Sequence, residues 1–178
     1  MGAAFLVDGH TEQRFIQQIC PGRPVQRLGL NGNTVSASAI AKRAATQIRL
    51  WGGKYYPIVL VIDHEDRIVT PADFSGQISD SFISEGIKED VRICVAMRMI
   101  ENWIIADAET VGWMDPPSSV DGLHGANVLK KILGQYDKAG DGPDLLGACR
   151  PSKIALRSSS FESAKKLLSD ISCHWLAR

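Results

Sequence analysis

The chain has 178 residues, 44% of them apolar, with 20 basic and 20 acidic side chains and 4 cysteines, which fits one globular domain with a sizeable core. No apolar run is long enough to span a bilayer, and the first residues lack the basic, apolar, small-residue order of a secretory signal, so a cytoplasmic protein without a membrane partner is expected. The formal charge of zero argues against an overall basic nucleic-acid binder, yet it sums two unequal parts: residues 1–129 carry 11 basic and 15 acidic side chains, residues 130–178 carry 9 and 5.

The apolar run over residues 3–7 ends at Asp8-Gly9, and Thr11-Glu12 opens a segment in which Phe15, Ile16 and Ile19 share a helical face. This predicts strand, tight turn and helix, broken over residues 21–24 by two prolines. A second strand is expected over residues 25–30, then a turn at Asn31-Gly32-Asn33 and an alanine-rich helix over residues 36–50. The unbroken run Pro57-Ile58-Val59-Leu60-Val61-Ile62 has the pattern of a strand buried on both faces of a parallel sheet, and it stops at Asp63-His64-Glu65-Asp66.

Thr70-Pro71-Ala72-Asp73 supplies an N-cap, a proline at the first helical position and an acid at the third, which predicts a helix through Ile83. A fourth strand is expected over residues 91–96. The apolar face of Met99, Ile100, Trp103, Ile104 and Ala108 then marks a helix that also carries Glu101 and Asp107. Alternating strands and helices predict an α/β fold with a mostly parallel sheet and helices on both faces. Residues 112–125 turn to Pro, Ser, Gly and Asp, so residues 1–111 read as the α/β core and residues 112–178 as a helical C-terminal extension on the same domain. Its helices are expected over residues 126–136, 151–156 and 161–176, with a Gly/Asp/Pro loop before the second.

Cys20, Cys94, Cys149 and Cys173 are scattered, without a C-x-x-C pair or a His/Cys spacing suited to zinc. Neither a disulfide framework nor a structural metal site is indicated, and small core residues are expected. No P-loop, G-x-G-x-x-G or G-x-S-x-G is present, which leaves ATPase motors, dinucleotide enzymes and serine hydrolases unsupported.

In open parallel sheets, ligands bind beyond the carboxyl ends of the strands, and acids stand at three of those ends. Asp8 follows the first strand with Glu12 one turn on; Asp63, Glu65 and Asp66 follow the third; Glu101 begins the helix after the fourth. Singly these have ordinary readings, as a turn aspartate, a helix-start charge and a solvated loop. Together on one edge they repel one another and require a cation, for which Mg²⁺ or Mn²⁺ suits hard oxygen donors.

The same residues carry a resemblance. Val7-Asp8-Gly9-His10-Thr11-Glu12 resembles the V-E-G-x-T-E opening of Toprim domains, and Leu60-Val61-Ile62-Asp63-His64-Glu65-Asp66 their hydrophobic strand ending in D-x-D. The stretch from Arg98 through Glu101, Trp103 and Asp107 is similar to the E-x-W-x-x-A-D segment of small stand-alone Toprim-like prokaryotic proteins. Lys130, Tyr136-Asp137-Lys138, Pro151-Ser152-Lys153 and Ser159-Ser160-Phe161 resemble that family's C-terminal part, so the likeness spans nearly the whole chain.

The resemblance implies a Toprim-like sheet and a Mg²⁺-dependent nuclease or nuclease subunit, related to overcoming-lysogenisation-defect nucleases. It further implies prokaryotic defence against phage, commonly beside an ATPase partner. Carried over by position, Asp8, Glu12, Asp63 and Glu101 are the expected catalytic acids. Asp8, Asp63, Glu65 or Asp66, and Glu101 are the expected metal ligands. Asp8 is one methylene shorter than the family's glutamate and Glu65 one longer than its aspartate, changes that either retune the site or silence it. A silent module that binds a partner protein or nucleic acid is therefore the alternative.

Nucleic acid, DNA or RNA, also needs positive charge. Lys130, Lys153 and Arg157 are the expected phosphate contacts, whereas Lys165-Lys166 beside Glu162 read as a solvated face and Ser158-Ser159-Ser160 as a helix cap. His10 and His64 lie in the acidic loops, as acid/base groups or as polar lining, and Trp103 is expected in the core.

Overall fold

The structure is a computed structural model that describes residues 2–30 and 32–178; Asn31, first residue of the expected turn, lies outside them. Four strands, β1 (Ala4–Val7), β2 (Val25–Arg27), β3 (Ile58–Asp63) and β4 (Val91–Ala96), form one sheet in the order β2-β1-β3-β4, with every pairing parallel. The helices α1 (His10–Ile19), α2 (Ala37–Trp51), α3 (Pro71–Ser84) and α4 (Glu101–Ala106) follow the strands in turn. This α/β arrangement, a parallel sheet flanked by helices, is consistent with a Toprim-like sheet.

Because strand side chains alternate faces, the sheet builds two cores. Phe5, Val7, Val59, Val61, Cys94 and Ala96 pack under α1, α4 and the C-terminal helices. Leu6, Ile58, Leu60, Ile62 and Val95 pack under α2 and α3. Both faces being covered explains the near-continuous apolar run of β3.

Local signals set the helix ends. Ser36 accepts from the Ala39 amide to cap α2, whose far end is closed by Gly52 at φ 56°, a left-handed position that glycine adopts without cost. Thr70 accepts from the Asp73 amide to cap α3, with Pro71 in the first turn.

The remaining helices are α5 (Ala108–Val111), α6 (Gly125–Leu133), α7 (Asp141–Ala148), α8 (Pro151–Ile154) and α9 (Ser159–Leu167), followed by a short 3-10 helix at His174–Ala177. They share the first core: Leu129, Leu146, Ile154, Phe161 and Trp175 lie in one buried cluster with Phe15 of α1 and Trp103 of α4. Trp103 is buried edge-on to Phe161, and Ser158 caps α9 by accepting from the Phe161 amide.

β2 ends at Arg27 and α6 at Leu133, short of the expected residues 30 and 136, and three further boundaries differ from expectation. The helix expected through Ala108 breaks at Asp107, whose carboxylate accepts from the Arg150 amide and from Thr110 Oγ1, turning the chain into the separate α5. The Gly/Asp/Pro loop contains α7, where Pro143 falls in the first turn and so loses no helical hydrogen bond. Residues 161–176 do not form one helix, since α9 ends at Leu167.

The cysteines require a correction. Cys20 and Cys173 form a disulfide that ties the end of α1 to the turn before the 3-10 helix, across 153 residues of sequence. No local spacing announces a pair so far apart; the fold alone brings the two Cα atoms to 5.3 Å. Cys94 and Cys149 are free and buried, as core residues.

Candidate functional site

Asp63 is the last residue of β3 and keeps the register of Val59 and Val61, so its side chain faces the α1 and α4 side of the sheet. The Ile100 amide donates to Asp63 Oδ1 at 2.8 Å and fixes the carboxylate, leaving Oδ2 to face the cavity beyond the strand ends. Glu12 projects from the first turn of α1 and is buried. Glu101 opens α4 and is fully buried, and neither of its carboxylate oxygens receives a hydrogen bond. Asp8 follows β1 directly, is 8% exposed, and leaves its Oδ1 without a partner.

The C-terminal extension delivers a cation into this group. Lys138, in the turn between α6 and α7, places Nζ 3.1 Å from Glu12 Oε1, 3.4 Å from Glu101 Oε1 and 3.8 Å from Asp63 Oδ2. No two of those oxygens are therefore farther apart than twice 3.8 Å, so carboxylates from three elements face one point. A cavity of about 320 Å³ opens beside them, lined by Asp8, His10, Glu12, Asp63, Glu65 and Lys138.

Burial first, and neighbouring negative charge second, make Asp8, Asp63 and Glu101 hold their protons. Burial, then Glu12 and Glu65, push the Asp8 carboxyl up to about 7. Burial and Glu12 raise Asp63 against the pull of Lys138, and burial raises Glu101. Burial alone would lower the Lys138 ammonium, but Asp63, Glu101 and Glu12 outweigh it and raise it above the ordinary lysine range.

Glu65 and Asp66 part company. Glu65 lines the cavity and accepts from the Gly32 amide at 3.1 Å, its backbone left-handed at φ 57°. The Glu65 amide donates to the carbonyl of Arg98, which is itself left-handed at φ 62°, so the loops after β3 and β4 brace one another. Such φ values are uncommon away from glycine. Asp66 lies away from the cavity, exposed, and pairs with Arg98 at 3.2 Å.

His64 is buried, with Nε2 2.8 Å from the Val69 carbonyl and its ring edge-on to Phe74, so it braces the loop. His10 is exposed at the cavity rim. Of the expected phosphate contacts, Lys130 is exposed on α6 and makes no ion pair among the described residues. Lys153 is paired with Glu109 at 2.8 Å, and Arg157 Nη1 donates to the Ala106 carbonyl, so both tie the extension to α4 and α5.

Three residues matter here to which sequence reasoning gave no role in the site. Lys138 belongs to the Tyr136-Asp137-Lys138 stretch of the resemblance, and nothing local places it among the acids. The buried Tyr136 hydroxyl has no hydrogen-bond partner, and burial, then Glu101, push its titration above the ordinary tyrosine range. Asn102 is a hub: its side-chain amide donates to the Met97, Val120 and Leu123 carbonyls and accepts from the Gly125 amide, pinning α6 against α4.

The donor set suits a hard divalent cation: clustered carboxylates, with buried oxygens on Asp8 and Glu101 that lack partners. Among the described residues no three His, Cys, Asp or Glu side chains already surround a metal position, and three of the carboxylates face the Lys138 ammonium. Also among the described residues, no helix is long and apolar enough to cross a membrane. No family model, curated protein or solved structure matches the chain.

Proposed function

We propose that the chain is a Mg²⁺- or Mn²⁺-dependent nuclease, or the nuclease subunit of a larger assembly, hydrolysing phosphodiesters at the carboxyl end of its sheet. The observation that carries this reading is the convergence of Glu12, Asp63 and Glu101, from three different elements, on one point, with both Glu101 oxygens buried and without hydrogen bonds. Orphaned buried carboxylate oxygens are costly, and a fold that keeps them has a ligand to satisfy.

Asp63, fixed by the Ile100 amide, and Glu101 would hold the ion, with Glu65 on the adjoining wall. A bound divalent ion supplies charge neutralisation at the phosphate and lowers the pKa of an attacking water. Asp8 or Glu12 completes the donor set or passes the proton to the leaving oxygen as the P–O bond breaks. Lys130 remains exposed for backbone phosphates. A cytoplasmic setting belongs to the same proposal, and so do phage defence and an ATPase partner, which rest on the resemblance alone.

One observation favours the alternative of a silent module: Lys138 already neutralises part of the cluster without a metal. Cleavage assays separate the two. Wild-type protein with Mg²⁺ or Mn²⁺ on single-stranded DNA, duplex DNA and RNA is expected to cut at least one of them, and Asp63→Ala to lose that cleavage. Cleavage that survives Asp63→Ala places the chemistry elsewhere, and metal-independent binding without cleavage supports the silent module.

A further inference from the structure

Lys138 is, among the described residues, the only basic side chain that ion-pairs with any of Asp8, Glu12, Asp63, Glu65 or Glu101. We propose that it is a displaceable stopper: its ammonium holds the point between Glu12, Asp63 and Glu101 until a divalent cation expels it. The proposal rests on the reading that this cluster binds metal.

Three features support exchange. The ammonium and the ion need the same oxygens: the ammonium sits 3.1 to 3.8 Å from them, and an ion drawing them in to roughly 2.0 to 2.6 Å would occupy the same point, so both cannot be seated at once. A single positive charge satisfies the site incompletely, since both Glu101 oxygens and Asp8 Oδ1 still lack hydrogen bonds. An ion of twice the charge gains more from the same carboxylates.

The third feature is the mounting of Lys138. Its turn is closed on itself: Asp137 Oδ2 accepts from the Gly140 amide, and Asp141 Oδ2 from the Asp137 amide. The side chain is 39% exposed, so a rotation of its flexible stem releases the ammonium to solvent without disturbing that turn. Tyr136, buried two residues earlier, anchors the segment while Lys138 moves. The stopper belongs to the extension whereas the acids belong to the α/β core, so metal entry changes how the two parts are held together.

Pulsed acetylation of the full chain, read by mass spectrometry with and without Mn²⁺, tests this on the wild-type protein. Lys138 is expected to be protected without metal and modified several-fold more with it, while Lys42 and Lys165 stay unchanged. Unchanged or lower Lys138 labelling, under conditions where calorimetry shows Mn²⁺ bound, overturns the stopper and leaves the metal reading standing. In a second arm, Lys138→Met is expected to bind Mn²⁺ about tenfold more tightly, the scale of one lost competing ion pair, and Lys138→Arg to gain nothing. Equal or weaker binding by Lys138→Met also overturns it. Absence of Mn²⁺ binding by wild type and Lys138→Met alike removes the metal reading and the stopper together.

Discussion

Lys138 Nζ lies 3.1 Å from Glu12 Oε1, joining the C-terminal extension to the first helix of the sheet at the point where the strand-end acids meet. The acids repel one another in the absence of a cation, and the fold answers with a lysine whose charge is too small to satisfy them all. From this relationship come most of the tests below.

If the cluster is a metal site, the ion stabilises the folded chain by mass action. At a concentration of about 100 times Kd the gain is about 2.7 kcal/mol. Wild-type protein should therefore melt at higher temperature with Mn²⁺, and Asp63→Asn should not respond. An equal rise in both proteins would show the ion acting elsewhere.

Stability of the metal-free protein should fall as pH rises. The Asp8 carboxyl, raised from 3.8 to about 7, binds more protons folded than unfolded between those values. Its favourable contribution is thus full below the unfolded value and lost as pH climbs through about 7, a change of a few kcal/mol. Urea denaturation at pH 5 and pH 8 measures this. Asp8→Asn should flatten the difference, and saturating Mn²⁺ should reduce or invert it, since the ion binds the deprotonated carboxylates.

Thiol titration of the denatured, unreduced protein should find Cys94 and Cys149 free, with Cys20 and Cys173 oxidised. Closing so long a loop is worth about 5 kcal/mol in the chain-entropy account, so reduction or Cys20→Ser should lower stability by up to that amount. Four titratable thiols would mean that the bond does not form.

Gly125 probes the seam between core and extension. A Cβ there would meet Asn102 Oδ1 at 2.6 Å and the Glu101 backbone carbonyl carbon at 2.7 Å, neither of which yields easily. Gly125→Ala should cost about 1–3 kcal/mol by overpacking. Because the displaced backbone belongs to Glu101, Mn²⁺ affinity should fall as well, whereas Gly76→Ala, with open space around it in the middle of α3, should leave Mn²⁺ affinity unchanged and raise stability by about 0.5–1 kcal/mol.

The sheet was legible because periodicity and turn residues are local. The β-branched run ending at Asp63, the Thr70-Pro71 start of α3 and the Ser36 cap of α2 each mark an element without help from the rest of the chain. The placing of acids at strand ends followed from the parallel order, and Glu12, Asp63 and Glu101 do meet.

The rest depends on contacts distant in sequence. Nothing around Lys138 points to Glu12, Cys20 carries no sign of Cys173, and Gly142, which lets α7 approach the Phe15 ring, reads locally as loop. Lys153 pairs with Glu109 in another element, which its own neighbours in sequence do not signal. Long side chains of one charge become legible only when the fold shows which opposite charge they reach.

The most direct test of the central claim is a crystal structure of the full chain with Mn²⁺, read by anomalous scattering. The account predicts a peak coordinated by the Asp63 and Glu101 carboxylates, with Lys138 swung out of the cluster. Lys138 still seated against Glu12 and Glu101, with no anomalous peak at saturating Mn²⁺, would contradict it.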